Sequence, residues 1–316
     1  MHAWEAIQKT LDYIEEHITE EIEIEELADT ASLSLFYYQR LFSRLVKKPV
    51  REYIKMRRMA IVLEVLQNRN KRILDIALKY GFGSHETFTR GFKEVYGMTP
   101  EQYREKPVSL NRFDKPDLLL GYTLIDEGVP LISEGLVLEM NRRLLKEPIY
   151  FTGILDYVPI AGQLPVGEST GVDVPGEIWR RFHQEKALIA RKPNGREIGV
   201  AYLGDAPTGC FTYFAGAEVE EVIEEEHFKS WQLPAREYIV CGFEASDFQE
   251  LVTVALNKAI KYSGLWLEKH NLTMDAFSPE IYYGSTPEVS YMELYIPFIK
   301  KSNENSSYRV KGTVSV

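Results

Sequence analysis

The residues of this chain that could do chemistry fall into two groups. The first is a pair of matching segments at an offset of 50: Ser34…Gln39-Arg40-Leu41-Phe42…Tyr53 and Ser84…Thr89-Arg90-Gly91-Phe92…Tyr103. At helical spacing Phe36, Gln39 and Arg40 share the face opposite Tyr38, Phe42 and Leu45, while His85, Glu86, Thr89 and Arg90 lie opposite Phe88 and Phe92. Gln, Arg and Glu carry the donors and acceptors that read base edges in a major groove, and an aromatic ring can meet thymine methyls. Arg44, Lys47, Lys48, Arg51, Arg57, Arg58, Lys71 and Arg72 are expected at phosphates or in solvent.

The second group is the stretch SPEIYYGSTPEVSYMELYIPF, beginning at Ser278. Alternation puts Glu280 and Tyr282 on one face of a strand, with Ile281 and Tyr283 on the other. On the partner strand Tyr291, Glu293 and Tyr295 share a face, and Met292, Leu294 and Ile296 the opposite one. A carboxylate among aromatic rings suits a lipophilic cation, through charge and cation–π contact; a solvated or ion-paired Glu280 is the plainer alternative. No Gly-x-Ser-x-Gly elbow, phosphate-cradling glycine loop or His-Glu-x-x-His motif occurs, and His183, His227 and His270 stand apart. No metal site, cofactor or catalytic constellation is expected. Cys210 and Cys241 read as small buried hydrophobes and make no disulfide framework.

The elements that must position the first group are helices. Trp4, Ile7, Leu11, Ile14 and Ile18 form the stripe of a helix over Ala3–His17. Further helices are expected at Ile24–Thr30, from Ser34 as N-cap, over Val50–Leu66, from Ile73 to Tyr80, after Ser84 to Gly97, and for a turn from Pro100. Each matching segment follows a short apolar helix and a turn, the helix–turn–helix order. The 17-residue connector from Val50 spans about 25 Å, so the second helices of the two motifs can enter successive major grooves about 34 Å apart.

Beyond Pro107 the pattern changes to strands alternating with helices. Ile149–Leu155, Pro175–Ile189, Glu197–Leu203 and Cys210–Glu218 read as strand, helix, strand, strand. Glu237–Phe243, the long helix Asp247–His270, Glu280–Gly284 and Tyr291–Phe298 repeat that order. Two α+β units with antiparallel hairpins are expected. The boundaries drawn are a helical domain 1–107, an α+β domain 108–300 and a tail 301–316. The fold class is therefore multidomain, all-α tandem helix–turn–helix followed by α+β.

Charge separates the same regions. The 316 residues carry a net −10, which taken whole argues against nucleic acid. Residues 1–31 carry −9, residues 32–107 carry +9, and the remainder −10. A basic segment this concentrated is the footprint of a polyanion-binding surface. The acidic run Glu15–Asp29 is expected as a solvated face pointing away from DNA. Neither a signal peptide nor a membrane span is legible, and a cytoplasmic protein is expected.

The stretch RILDIALKYGFGSHETFTRGFKEVYGMTPEQYR from Arg72, with SLSLFYYQRLFSRLVKKPVREYIKMRRM from Ser32, resembles the AraC/XylS family of bacterial transcription regulators over about 100 residues. The resemblance implies a tandem helix–turn–helix domain binding double-stranded promoter DNA, with base-reading positions at Phe36, Gln39, Arg40, His85, Glu86, Thr89 and Arg90. His85 and Glu86 depart from the amides of many relatives. The duplicated plan, PEIYYG and YMELYIPF are similar to the GyrI-like effector-binding domain. That resemblance implies a small-molecule effector, with Glu280 at the family's acidic position, Glu293 as a second acid, and Tyr282, Trp179, Tyr202 and Tyr213 as pocket walls. An activator role follows from resemblance alone, and RNA polymerase is a candidate partner beside DNA and the effector. Two alternatives stand beside a passive sensor: a hydrolase of small electrophilic compounds using Glu280 as base, and a protein-interaction module.

Overall fold

The computed structural model describes residues 2–160, 171–192, 195–221, 227–283 and 290–301. Residues 302–316 of the expected tail and the strand end at Gly284 lie outside the described residues.

Seven helices open the chain: α1 Ala3–Glu16, α2 Ile24–Thr30, α3 Leu35–Val46, α4 Val50–Leu66, α5 Ile73–Lys79, α6 His85–Tyr96 and α7 Pro100–Glu105. They form two bodies with separate cores. Ile7, Leu11, Leu27, Tyr38, Phe42 and Tyr53 pack the first, and Leu63, Ile76, Phe88, Phe92 and Tyr103 the second. The connector α4 belongs to both, giving Val50 and Tyr53 to one body and Met59, Val62 and Leu66 to the other. The two motifs end their second helices alike, in the left-handed region, at Lys47 (φ 65°) and Gly97 (φ 76°). Only Gly97 adopts that conformation without a Cβ penalty. The caps also differ: Ser84 Oγ accepts from Thr87 N at 3.1 Å, whereas Ser34 makes no side-chain cap bond.

The α+β part begins with β1 Leu110–Asn111, α8 Leu118–Tyr122, β2 Leu131–Ser133 and β3 Leu136–Leu144. Then come β4 Ile149–Pro159, β5 Gly171–Val172, α9 Val174–Glu185 running into a 3-10 turn, β6 Glu197–Tyr202, β7 Cys210–Val219 and β8 Lys229–Leu233. The chain continues through β9 Glu237–Ala245, α10 Phe248–Glu250, a π-helical turn Leu251–Ala255, α11 Leu256–Lys269, β10 Leu272–Met274, β11 Phe277–Tyr282 and β12 Ser290–Lys300. The long helix expected over Asp247–His270 is thus interrupted by the π turn. The strand β3, of nine residues, was not expected at all.

The main sheet runs β2-β3-β9-β12-β11-β6-β7-β4-β8, entirely antiparallel, with β10 on β12. Its centre reads β9-β12-β11 and then β6-β7-β4, the same three-strand order reflected about the β11–β6 seam. The duplication expected from sequence is therefore the architecture of the sheet. One face curls around Phe151, Ile198, Phe214, Leu233, Tyr238 and Tyr295, drawn from both halves. The other face is covered by α9 over β4 and β7, and by α11 over β3, β9 and β12.

Segment 108–125 belongs to several cores at once. Leu110 sits in the second helical body, Phe113 and Leu118 in the first, and Leu120 and Ile125 beneath α11. Packing therefore changes allegiance over this segment rather than at residue 107.

Candidate nucleic-acid interface and ligand site

On α3 the apolar stripe turns Tyr38 and Phe42 fully inward and leaves Phe36, 77% accessible, with Gln39 and Arg40 on the outside. On α6 the same logic buries Phe88 and Phe92 and exposes Glu86 and Arg90. Two residues of the expected reading face are placed differently. His85 is half-exposed and its Nε2 lies 2.8 Å from Glu101 Oε1 at the start of α7. Thr89 is half-buried, and its hydroxyl is buried without a partner among the described residues. One turn apart on a helix, these two positions lean toward the protein while Glu86 and Arg90 point away.

The cleft between the two motifs has a volume of about 920 Å³ and is lined by Arg51, Lys55, Arg58 and Arg90 together with Glu20, Glu23 and Glu94. Two of the bases expected at phosphates or in solvent are tied into the protein instead. Arg57 grips Glu15 with Nε and Nη2 at 2.8 and 2.9 Å and also donates to the Phe113 carbonyl. Arg58 donates to the carbonyls of Ile18 and Glu20, at 2.9 and 2.5 Å. Sequence marks both as charged and hence exposed; α4 has a protein body on each side, which consumes them. The acidic run does not simply face solvent either, since Glu15 pairs with Arg57 and Glu20, Glu21 and Glu23 border the cleft.

In the sheet domain, register decides which aromatic residues meet which acid. Glu280 pairs with Leu294 and Ile281 with Glu293, so the two acids project from opposite faces. Glu280 stands at the seam between the halves, opposite Gly199 of β6. Its Oε2 accepts from Tyr213 at 2.9 Å and Tyr282 at 2.8 Å, and Trp179 Nε1 donates to Tyr213 at 2.9 Å. Trp179 of α9 also meets Tyr282 edge-on, with ring centroids 4.7 Å apart. The structure thus brings together Glu280, Tyr282, Tyr213 and Trp179, while Tyr202 packs against Trp231 and Phe277 on the opposite face. Glu293 shares that opposite face.

The two acids differ in what neutralises them. Burial pushes the Glu280 carboxyl up; the hydroxyls of Tyr282 and Tyr213 pull it back, Asp173 adds to the rise, and the net shift is upward. No cation is paired with Glu280 among the described residues. Glu293, 4% accessible, receives Arg143 Nη2 at 2.8 Å and the hydroxyls of Tyr283 and Tyr291 at 2.5 and 2.8 Å. Burial pushes that carboxyl up as well, but the guanidinium and the phenols outweigh it and hold it below the ordinary range. A cavity of about 130 Å³ lined by Tyr291, Glu293, Arg143, Glu139 and Gly242 opens beside this pair. An acid already matched to an arginine offers little to a cation, whereas an unmatched one surrounded by rings offers both charge and π faces.

Sequence reading missed Gly199 and Asp173. A Cβ at Gly199 would lie 2.4 Å from the Tyr213 hydroxyl and 2.8 Å from Glu280 Oε2, so only glycine lets these groups close over the seam. A glycine inside the strand pattern Glu197-Ile198-Gly199-Val200 was the available signal for such an approach. Of the cysteines, Cys241 is fully buried, and burial pushes its thiol up to about 12; Cys210 is half-exposed. No group of three or more His, Cys, Asp or Glu able to hold a metal occurs among the described residues, and no described helix is long and apolar enough to cross a membrane.

A family model described as a helix-turn-helix domain matches residues 27–106, and one described as an integron-associated effector binding protein matches residues 162–298. The HTH-type transcriptional activator AarP of Providencia stuartii is 34% identical over 114 residues, covering 36% of this chain and 81% of that protein. The uncharacterized HTH-type transcriptional regulator YbfP of Bacillus subtilis is 42% identical over 104 residues, 33% of this chain; the chain spans 35% of that relative's length. Among solved structures, SAV2435 bound to tetraphenylphosphonium aligns with 51% of this chain and 94% of that one, at 16% identity and a TM-score of 0.37.

Proposed function

The chain belongs to the AraC/XylS family of transcription regulators and carries a GyrI-like effector-binding domain, and from that premise we propose how it reads DNA and what switches it. Two helices of one polypeptide, α3 and α6, enter successive major grooves. Phe36, Gln39 and Arg40 read one half of the site, and Glu86 and Arg90 the other, with His85 and Thr89 supporting α6 from its protein side. With Lys55 paired to Glu94 and Arg58 tied to backbone carbonyls, Arg51, which has no acidic partner among the described residues, meets the phosphates between the grooves.

The effector is a lipophilic cation that reaches the seam of the duplicated sheet, with Glu280 as counter-charge and Trp179, Tyr213 and Tyr282 as rings. The observation that carries this reading is the carboxyl of Glu280, raised by burial and lacking a cationic partner among the described residues. Occupancy changes how the reading helices engage the promoter and so activates transcription through RNA polymerase. Fluorescence anisotropy of a selected promoter fragment, with and without tetraphenylphosphonium as probe, tests it. A probe-dependent change in DNA affinity is expected. Unchanged affinity at probe concentrations that saturate the protein contradicts it.

One observation also favours a second reading. A carboxyl whose pKa is raised by burial is poised as a general base, so hydrolysis of a small electrophile at the same seam is the competing use. Turnover by the wild-type chain that disappears in Glu280→Gln separates catalysis from sensing.

A further inference from the structure

The spacing of α3 and α6 decides which DNA the two motifs read together, and each helical body is fastened to a different half of the sheet domain. The second body is held through Ser109, next to its core residue Leu110. Ser109 Oγ donates to Asp173 Oδ2 at 2.8 Å and its backbone N to Glu177 Oε1 at 2.8 Å, while Asp173 N donates back to the Ser109 carbonyl at 2.8 Å. Asp173 caps α9, and strand β1 pairs with β5 immediately before it. The same helix carries Trp179, and Asp173 is the charge that adds to the upward shift of Glu280. A Cβ at Gly176 would lie 2.7 Å from Ser109 Oγ, so this joint also depends on a glycine.

The first body is held through the other half. Lys115 lies 2.6 Å from Asp12 of α1 and also pairs with Glu134; Glu134 in turn receives Lys258 of α11 at 2.9 Å and Gln8 of α1 at 3.3 Å. Asn257 of α11 donates to Asp114 at 2.9 Å, and Trp4 of α1 stacks on Tyr122. Glu134 occupies the two-residue turn between β2 and β3 with φ 48°, followed by Gly135 at φ 81°. Such a turn favours Asn-Gly, because only residues without strong Cβ clashes adopt positive φ cheaply. A glutamate there accepts backbone strain, and what it gains is a carboxylate shared among α1, the connecting segment and α11.

We propose that the C-terminal domain sets the spacing of the two reading helices through these two latches, with Ser109 and Glu134 as the positioning residues. A ligand at the β11–β6 seam, which is where the two halves meet, changes the angle between them and is read out as a change in that spacing. This last step rests on the effector reading above; the latches themselves do not.

The test is a distance measurement by double electron–electron resonance on the full chain, with spin labels at Lys47→Cys and Lys93→Cys in a Cys210→Ser background. Both lysines are exposed, one in each body, and the remaining Cys241 is buried. The parent is expected to show one narrow distance. Adding Glu134→Asn, which suits the turn better than glutamate, together with Ser109→Ala and Glu177→Ala, is expected to broaden and shift it. An unchanged distribution overturns the proposal and leaves α4 alone as the spacer. Tetraphenylphosphonium should shift the distance in the parent and not in the unlatched protein. Binding heat without a shift in the parent refutes transmission through the latches; absence of binding heat refutes the effector reading, and the comparison of parent with unlatched protein still decides on the latches.

Discussion

Replacing Glu280 by glutamine keeps the shape of the seam and removes one charge, so it isolates what the carboxylate contributes to a bound cation. Opposite charges about 4 Å apart at an effective dielectric near 20 interact by about 4 kcal/mol, and desolvating the ligand returns part of that. A loss of about 2–3 kcal/mol is therefore expected, roughly 30- to 150-fold in Kd. The rings contribute separately, about 0.5–2 kcal/mol for a cation over an aromatic face, so residual binding should survive. Stability moves the other way. The folded carboxyl keeps its proton to a higher pH than the unfolded chain does, so Glu280 costs stability increasingly as pH rises from the ordinary carboxylate value through its raised one. At pH 7 the glutamine protein should thus melt at the same temperature as the parent or higher. Calorimetry with tetraphenylphosphonium checks the first part and thermal unfolding the second. In the parent, affinity should also fall as pH drops through the raised pKa, and in the glutamine protein it should not. Equal affinity in the two proteins at pH 7 refutes the role given to Glu280.

Three further outcomes follow from the packing. Lys47→Gly relieves a left-handed C-cap that Gly97 occupies without strain, and denaturant unfolding should report a gain of about 1 kcal/mol. Glu15→Ala leaves Arg57 enclosed without its bidentate partner, at a cost of about 3 kcal/mol in the same assay. Iodoacetamide at pH 8 should modify Cys210, which is half-exposed, and spare Cys241, whose thiol burial pushes up to about 12; modification of Cys241 in the native protein would count against the packing of β9 beneath α11.

What could be read from the sequence was what local physics decides. The helices Ile24–Thr30 and Val50–Leu66 lie where the 3.6-residue stripes and breaks put them, and alternation assigned the faces of β11 and β12 correctly residue by residue. Pairing between strands is not local. It put Glu280 with Tyr213 and Trp179, and it sent Glu293 and Tyr202 to the opposite face. The strand β3 begins with apolar alternation at Leu136, Leu138 and Met140, but Glu139, Asn141, Arg142 and Arg143 break it, and the core it joins is completed by β9 and α11, far along the chain. Arg57 and Arg58 count as surface by residue type, yet α4 is enclosed by two bodies and buries residues around much of its circumference. Glu134 looked like any acid, and only its left-handed turn and the two lysines around it set it apart.

Whether one chain reads two successive grooves is measured by a hydroxyl-radical footprint of the full chain on DNA selected from a random pool. Two protected patches on one face of the duplex, about one helical turn apart, are expected. Arg40→Ala should erase one patch and Arg90→Ala the other. A single patch, or loss of the same patch in both variants, would contradict the reading of two grooves by one chain.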